Sequence, residues 1–277
     1  MSALQLHGLV LAGGRSRRMQ RDKAGLDYAG KPQLARAVQL LQPLTERCFV
    51  SVRADQLHDP QRAAYDTITD LTADLGPIGG IQAALRAFPQ QAWLVLACDL
   101  PFLDAATLQH LIAHRAPERL ATAYRSSSDG LPEPLCAIFE PRSAAAIDAW
   151  IGNGQRCPRS FLSQADVELL ELPDARALDN VNTAEEYARA TATLGRPLRA
   201  LQVRYFAILR EQAGRSSEQL HTHAATPEEL YEELRRRYGL TLERQYLRVA
   251  VNDDFGDWDA PLNDGDTVVF LPPVAGG

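Results

Sequence analysis

Two short runs in the first part of the chain, GLVL at 8–11 and WLVLAC at 93–98, contain no charged residue and no alternation. Runs of that kind read as strands covered on both faces, the pattern of a parallel sheet in an α/β unit. The residues after the two runs differ. After the first come Ala12, Gly13 and Gly14, small residues that let the backbone turn sharply and bring its amides close to a ligand. After the second come Asp99, Leu100 and Pro101. A carboxylate there leaves the carboxyl end of a buried strand, the edge at which open α/β sheets bind ligands. Asp99 reads either as an oxygen ligand for Mg²⁺, which prefers carboxylates and substrate phosphates, or as the cap of a turn before the proline.

Lysine usage narrows the choice. Among 29 Lys plus Arg there are two lysines, Lys23 and Lys31, against 27 arginines, and both lie between residues 9 and 34. Lysine is a compact charge on a flexible stem, suited to one phosphate oxygen; arginine is a rigid planar fork. Arg15, Arg17 and Arg18 add positive charge around the turn, and Lys23 is nine residues beyond Gly14, within reach of a triphosphate laid over it. The stretch is neither a GxxxxGK[ST] loop nor a GxGxxG fingerprint. Two glycines alone fit a surface turn equally well; with the lysines and arginines they point to a phosphate site. Asp70 ends DTITD, a further predicted strand, and reads either as a nucleoside contact or as the start of a loop. Gly76, Gly79 and Gly80 predict a loop able to approach a base or ribose, ahead of a helix over 81–88.

A second unit is predicted after the break TLGRPLR, with a first domain at 1–195, a linker at 196–198 and a second domain at 199–277. ALQVRYFAILRE reads as a strand followed by a helix or turn. Thr226-Pro227-Glu228-Glu229 reads as an N-cap, a first-turn proline and acids suited to the helix dipole, with Gly239 as the stop. LRVAVN and TVVFLP complete a pattern that suits a β-grasp. The sequence ends PPVAGG; a stiff exit followed by Gly276 and Gly277 suits threading into a narrow tunnel, although two terminal glycines alone are usually a frayed end.

Taken in order, LAGGRSRRM, the DK pair at 22–23, GKP at 30–32, Asp70 ahead of GPIGG, CDLP at 98–101 and NVNT at 180–183 resemble the molybdenum cofactor guanylyltransferase family over roughly 4–190. The resemblance implies a Rossmann-like α/β nucleotidyltransferase domain. Leu11, Ala12, Gly13 and Gly14 would hold the nucleotide through the loop backbone, with Arg18 beside them; Lys23 would neutralise the triphosphate and Asp70 would contact the nucleoside. Asp99 would bind Mg²⁺, and Asn180 and Asn182 would sit near the pterin or at the second metal ligand position. GTP would be the nucleotide substrate and Mo-molybdopterin the acceptor. Two positions depart from the family: Gln20 stands where glycine is usual, and Arg53 where a guanosine-contacting asparagine falls. The loop reads Ala-Gly-Gly, against the Ala-Ala-Gly of related cytidylyltransferases, which favours GTP over CTP. DGLPEPLCAIF, 129–139, falls on the acceptor side.

RYFAILREQAG, LRVAVN and LNDGDTVVFLPPVAGG resemble the small sulfur-carrier subunit of molybdopterin synthase. This implies a C-terminal ubiquitin-like β-grasp domain of the α+β type, whose Gly277 is adenylated by a ubiquitin-activating-type enzyme and converted to a thiocarboxylate. The molybdopterin synthase large subunit would then receive the sulfur. The alternatives are a cytidylyltransferase of the same cofactor, a nucleotidyltransferase for another small phosphate with a docking carrier domain, and a scaffold without turnover.

Charge and composition exclude other classes. Residues 199–277 hold 9 Lys plus Arg and 13 Asp plus Glu, a net −4 that leaves −2 of the total −6 for the rest, so neither part suggests a nucleic-acid partner. No apolar run reaches the ~18 residues of a membrane span, and no leader pattern opens the sequence, so a cytoplasmic, membrane-free protein is expected. Cys48, Cys98, Cys136 and Cys157 lack CxxC spacing; the first three are expected to be buried thiols. The six histidines are scattered and suggest no metal role.

Overall fold

The computed structural model describes residues 6–14, 22–28, 30–127, 129–174 and 176–273. The chain divides into two compact units, Met1–Ala188 and Arg189–Gly277.

The first unit contains strands β1 (Leu6–Leu11), β2 (Asp27–Tyr28), β3 (Lys31–Pro32), β4 (Cys48–Val52), β5 (Thr67–Thr69), β6 (Ala92–Ala97), β7 (Ala121–Arg125), β8 (Pro132–Phe139) and β9 (Val167–Leu170). Its helices are α1 (Gln33–Leu41), α2 (Pro77–Ala87), α3 (Ala105–Ala113), α4 (Ser143–Gly152) and α5 (Pro158–Gln164); α6 (Ala184–Leu194) runs on across the boundary. Seven strands form one sheet in the order β5-β4-β1-β6-β8-β7-β9. β5, β4, β1 and β6 are mutually parallel, and β8 runs antiparallel to both neighbours. β2 and β3 make a separate antiparallel pair.

The two apolar runs of the sequence are therefore the middle of the sheet. β1 and β6 are adjacent in register, with Leu11 opposite Ala97. All six residues of β6 are buried, because apolar clusters cover both faces: Val10, Leu94 and Leu96 on one, Leu9, Trp93 and Val95 on the other. The chain leaves β1 towards β4 and β5 on one side and returns to β6 on the other. That reversal opens a crevice at the strands' carboxyl ends.

One predicted element needs correcting. The helix expected over 81–88 begins at Pro77, so Gly79 and Gly80 lie in its first turns and not in a loop. Proline at the first helical position supplies the start, and Gly76 precedes it at φ 69°, a conformation that favours glycine. Gly80 is small for a packing reason: a Cβ there would lie 2.4 Å from Ser51 Oγ and 2.9 Å from Leu11 Cδ2. Gly80→Ala is thus expected to destabilise the protein by about 1–3 kcal/mol through overpacking, although alanine ordinarily favours a helix by about 1 kcal/mol. A denaturant midpoint at or above the parent's would contradict this.

The second unit contains β10 (Arg199–Tyr205), α7 (Ala207–Ala213), β11 (Ser217–Thr222), α8 (Pro227–Tyr238), β12 (Arg248–Val251), β13 (Asp254–Gly256) and β14 (Thr267–Leu271). Its sheet order is β11-β10-β14-β12-β13, with β10 and β14 parallel at the centre and the other pairs antiparallel. A long helix, α8, against a mixed sheet of this order is a β-grasp. The helix signals act as expected. Thr226 accepts the amide of Glu229 at 3.3 Å, and Gly239 ends α8 at φ 63°. Leu230, Tyr231 and Leu234 are buried with Leu201, Val203, Val268 and Phe270. Asn252 and Asp253, at φ 53° and 69°, turn β12 into β13 as a tight hairpin requires.

Among the described residues no helix is long and apolar enough to cross a membrane. Cys98 and Cys136 are buried, and burial pushes the Cys98 thiol up to about 12. Cys48, the first residue of β4, is only partly covered, because a strand's first residue meets fewer neighbours than its middle. Gly276 and Gly277 lie outside the described residues.

Candidate functional site

A pocket of about 490 Å³ opens at the crevice between β1 and β6. It is lined by Leu11, Ala12, Gly13 and Gly14 of the glycine turn, by Lys23 and Asn182, by Asp99 just after β6, and, on the β4 and β5 side of the sheet, by Ser51, Arg53 and Asp70. Among the described residues the amides of Gly13 and Gly14 have no backbone acceptor. Ala12 continues the sheet, with its amide on the Ser51 carbonyl at 3.3 Å.

Lys23 opens the 3-10 turn Lys23–Gly25. Its ammonium lies 2.7 Å from Asp99 Oδ2 and 2.7 Å from Asn182 Oδ1, joining positions 76 and 159 residues away. The ion pair is partly shielded, with 17% and 21% of the two side chains exposed. Asn182 is brought there because the amide of Val181 donates to the Asp99 carbonyl at 3.2 Å. Glu186 accepts the amides of Asn182 and Thr183 at 2.7 and 3.0 Å, and holds the segment at the start of α6. Asn180 is exposed and does not line the pocket. Arg15, Arg17 and Arg18 lie outside the described residues.

Asp99 also bears on the question of Mg²⁺. Its second oxygen, Oδ1, is buried and has no hydrogen-bond partner. Among the described residues no group of three or more His, Cys, Asp or Glu stands ready to hold a metal. One carboxylate completed by phosphate oxygens and water is the usual way Mg²⁺ is held beside a nucleotide, so the donor set fits the ion with substrate present.

On the β4 and β5 side, Asp70 follows β5 and accepts Ser51 Oγ at 3.2 Å. Burial pushes its carboxyl above the usual range; the Ser51 bond and the Arg53 charge oppose that shift. A raised carboxyl favours the fold while it is protonated, and that contribution is lost as pH rises through its folded value. Near neutrality Asp70 therefore costs stability. Asp70→Asn is expected to melt higher than the parent at about pH 7, with the gap closing near pH 4, while weakening nucleoside binding. A melting gain that persists undiminished in acid would contradict the assignment.

Arg53 also lines the pocket, but its guanidinium is committed. Nε and Nη2 grip Asp55 at 2.9 and 3.0 Å, and Nη1 donates to the Gly13 carbonyl. It ties the glycine loop to the segment after β4. Sequence reasoning gave no role to Asp22, whose Oδ1 accepts the Ala24 amide at 3.0 Å and so caps the turn that carries Lys23. An Asx cap one residue before the lysine was the available signal. It also missed Arg62, a buried side chain whose position in a polar loop gave no signal at all. From the segment 129–139, Leu135 lines the pocket.

Residues 8–169 match the MobA-like NTP transferase domain family, and residues 203–277 match the ThiS family. A molybdenum cofactor biosynthesis bifunctional protein of Synechocystis sp. is 33% identical over 189 residues, 68% of this chain and 54% of that protein, so the match spans about half its length. A molybdenum cofactor guanylyltransferase of Pseudomonas paraeruginosa is 37% identical over 189 residues, covering 65% of this chain and 92% of the relative. The crystal structure of molybdopterin-guanine dinucleotide biosynthesis protein A from Archaeoglobus fulgidus superposes with a TM-score of 0.56 at 25% identity, covering 67% of this chain and 97% of that one. With a nucleotidyltransferase sheet, its crevice lined as described and a β-grasp unit following it in sequence, the chain belongs to the MobA-like NTP transferase domain family and carries a ThiS-family domain.

Proposed function

We propose that the first unit transfers GMP from GTP to the phosphate of Mo-molybdopterin with release of pyrophosphate. The observation that carries this reading is the Lys23 ammonium on Asp99, lining the same crevice between β1 and β6 as the glycine turn. A phosphate monoester is already ionised at neutral pH, so no side chain must act as nucleophile. An acceptor oxygen attacks the α-phosphorus of GTP; a P–O bond forms there, the bond to the β-phosphate bridge breaks, and pyrophosphate leaves. The protein's contribution is placement and charge. The amides of Gly13 and Gly14 face the phosphates, Lys23 neutralises their oxygens, and Asp70 lies at the nucleoside end. Asp99 is the residue to hold Mg²⁺, which would offset negative charge on the phosphates during transfer. Asn182 orients Lys23, and Asn180, exposed two residues earlier, is assigned to the pterin side.

The second unit is proposed to carry sulfur as a Gly277 thiocarboxylate. It would be activated by an adenylating enzyme and used by the molybdopterin synthase large subunit. The ThiS-family match, which runs to Gly277, supports this. Domain limits of 1–195 and 199–277 about a linker at 196–198 go with the proposal.

The test is pyrophosphate release by the full chain with Mo-molybdopterin, Mg²⁺, and GTP or CTP in parallel. Release with GTP is expected. Release with CTP alone would move the protein to the cytidylyl reaction, and silence with both would leave the carrier as the surviving function. Intact mass after incubation with an adenylating enzyme and a sulfur donor reads the second half directly, as replacement of one oxygen by sulfur.

A further inference from the structure

Arg62 is fully buried, at 0% exposure, yet it lies in an irregular segment between β4 and β5. A guanidinium taken out of water costs several kcal/mol unless every donor is matched. Here Nε and Nη2 donate to the Ala12 carbonyl at 3.2 and 2.8 Å, Nη2 also to Asp22 Oδ1 at 2.9 Å, and Nη1 to Asp59 at 2.7 Å. Asp59 in turn fixes the segment, accepting the Gln61 amide at 2.8 Å.

The partners give this arrangement its meaning. Ala12 begins the glycine turn, which lines the pocket. Asp22 caps the turn that starts at Lys23, and 42% of its side chain is exposed where it lines the same pocket. One buried cation therefore ties together the two elements that meet a triphosphate. It also pairs a carboxylate that would otherwise stand as an uncompensated negative charge against the phosphates.

We infer that Arg62 is a positioning residue for the triphosphate: it sets the spacing of the Gly13–Gly14 turn from Lys23 and neutralises Asp22. The inference rests on the nucleotidyltransferase reading and adds a residue outside the pocket to it. Its signature is a penalty that grows with the number of phosphates. A general loss of folded protein would weaken all nucleotides equally.

Dissociation constants for GTP, GDP and GMP are measured on the full chain, with no acceptor present and folding followed by circular dichroism. Arg62→Met is expected to weaken GTP about tenfold and GMP by less than about threefold, with GDP between. Adding Asp22→Asn, which keeps the capping oxygen but removes the charge, is expected to recover about threefold of that GTP loss, leaving the part due to the lost fork on the Ala12 carbonyl. Should Arg62→Met not fold, Arg62→Lys keeps a positive charge but not the fork, and a GTP-selective loss is again expected. Equal losses for all three nucleotides, no loss, or no rescue by Asp22→Asn would overturn the inference. Failure of the parent chain to bind any of the three would remove the nucleotidyltransferase reading, and the inference with it.

Discussion

Asp99→Asn is expected to lower Mg²⁺-dependent pyrophosphate release by about 10³-fold, the scale seen when a preorganised charge-stabilising group is removed. The substitution keeps shape but removes the charge that would hold the cation. It also leaves Lys23 Nζ, 2.7 Å from Asp99 Oδ2 in the parent, with a neutral amide in place of a carboxylate. GTP affinity without metal is expected to change little, because the glycine turn and Asp70 are untouched. Mn²⁺ binding in the presence of GTP, followed by electron paramagnetic resonance, supplies a readout separate from turnover. Parent-like Mn²⁺ affinity in the variant would remove Asp99 from the metal's coordination and sink the assignment.

Lys23→Arg should be nearly as damaging, with turnover down about 10²-fold despite conserved charge. The ammonium of Lys23 is a point donor placed 2.7 Å from both Asp99 and Asn182. A planar fork is longer and broader, and cannot take both bonds from the same 3-10 turn without displacing Asp22, its cap. Because Lys23 and Asp99 touch, the double variant is expected to lose far less than the product of the two single losses. Full multiplicativity would show that the two residues act independently. Parent-like turnover by Lys23→Arg would show that any positive charge suffices.

Much of this site is legible in the sequence. The strands that carry the glycine turn and Asp99 are unbroken apolar runs, and a strand buried on both faces leaves that mark in a sequence. Lys23 stands out through a lysine count of two. The start of the second helix is hidden because glycine codes for two unrelated needs. Gly76 is required by its φ, whereas Gly80 is required by the distance to Ser51, and local sequence cannot separate these. Arg62 is invisible for a deeper reason. Its partners are residues 12, 22 and 59, so its burial comes from tertiary closure and not from any periodicity. Asn182 meets Lys23 across 159 residues, and only the family resemblance, not spacing, brings it forward.

The order of strands in the β-grasp has a consequence for synthesis. β14 is the last strand of its sheet to be made, yet it lies at the centre, between β10 and β12. Gln202 must wait for Thr267 before that parallel pairing can form. Until then a nascent chain displays two unpaired edges, the kind of surface that pairs with neighbouring chains. The first sheet has its last strand by Leu170 and can close while the rest is still being translated. Premature termination between β10 and β14 would thus release a folded first unit bearing an open, aggregation-prone half-sheet.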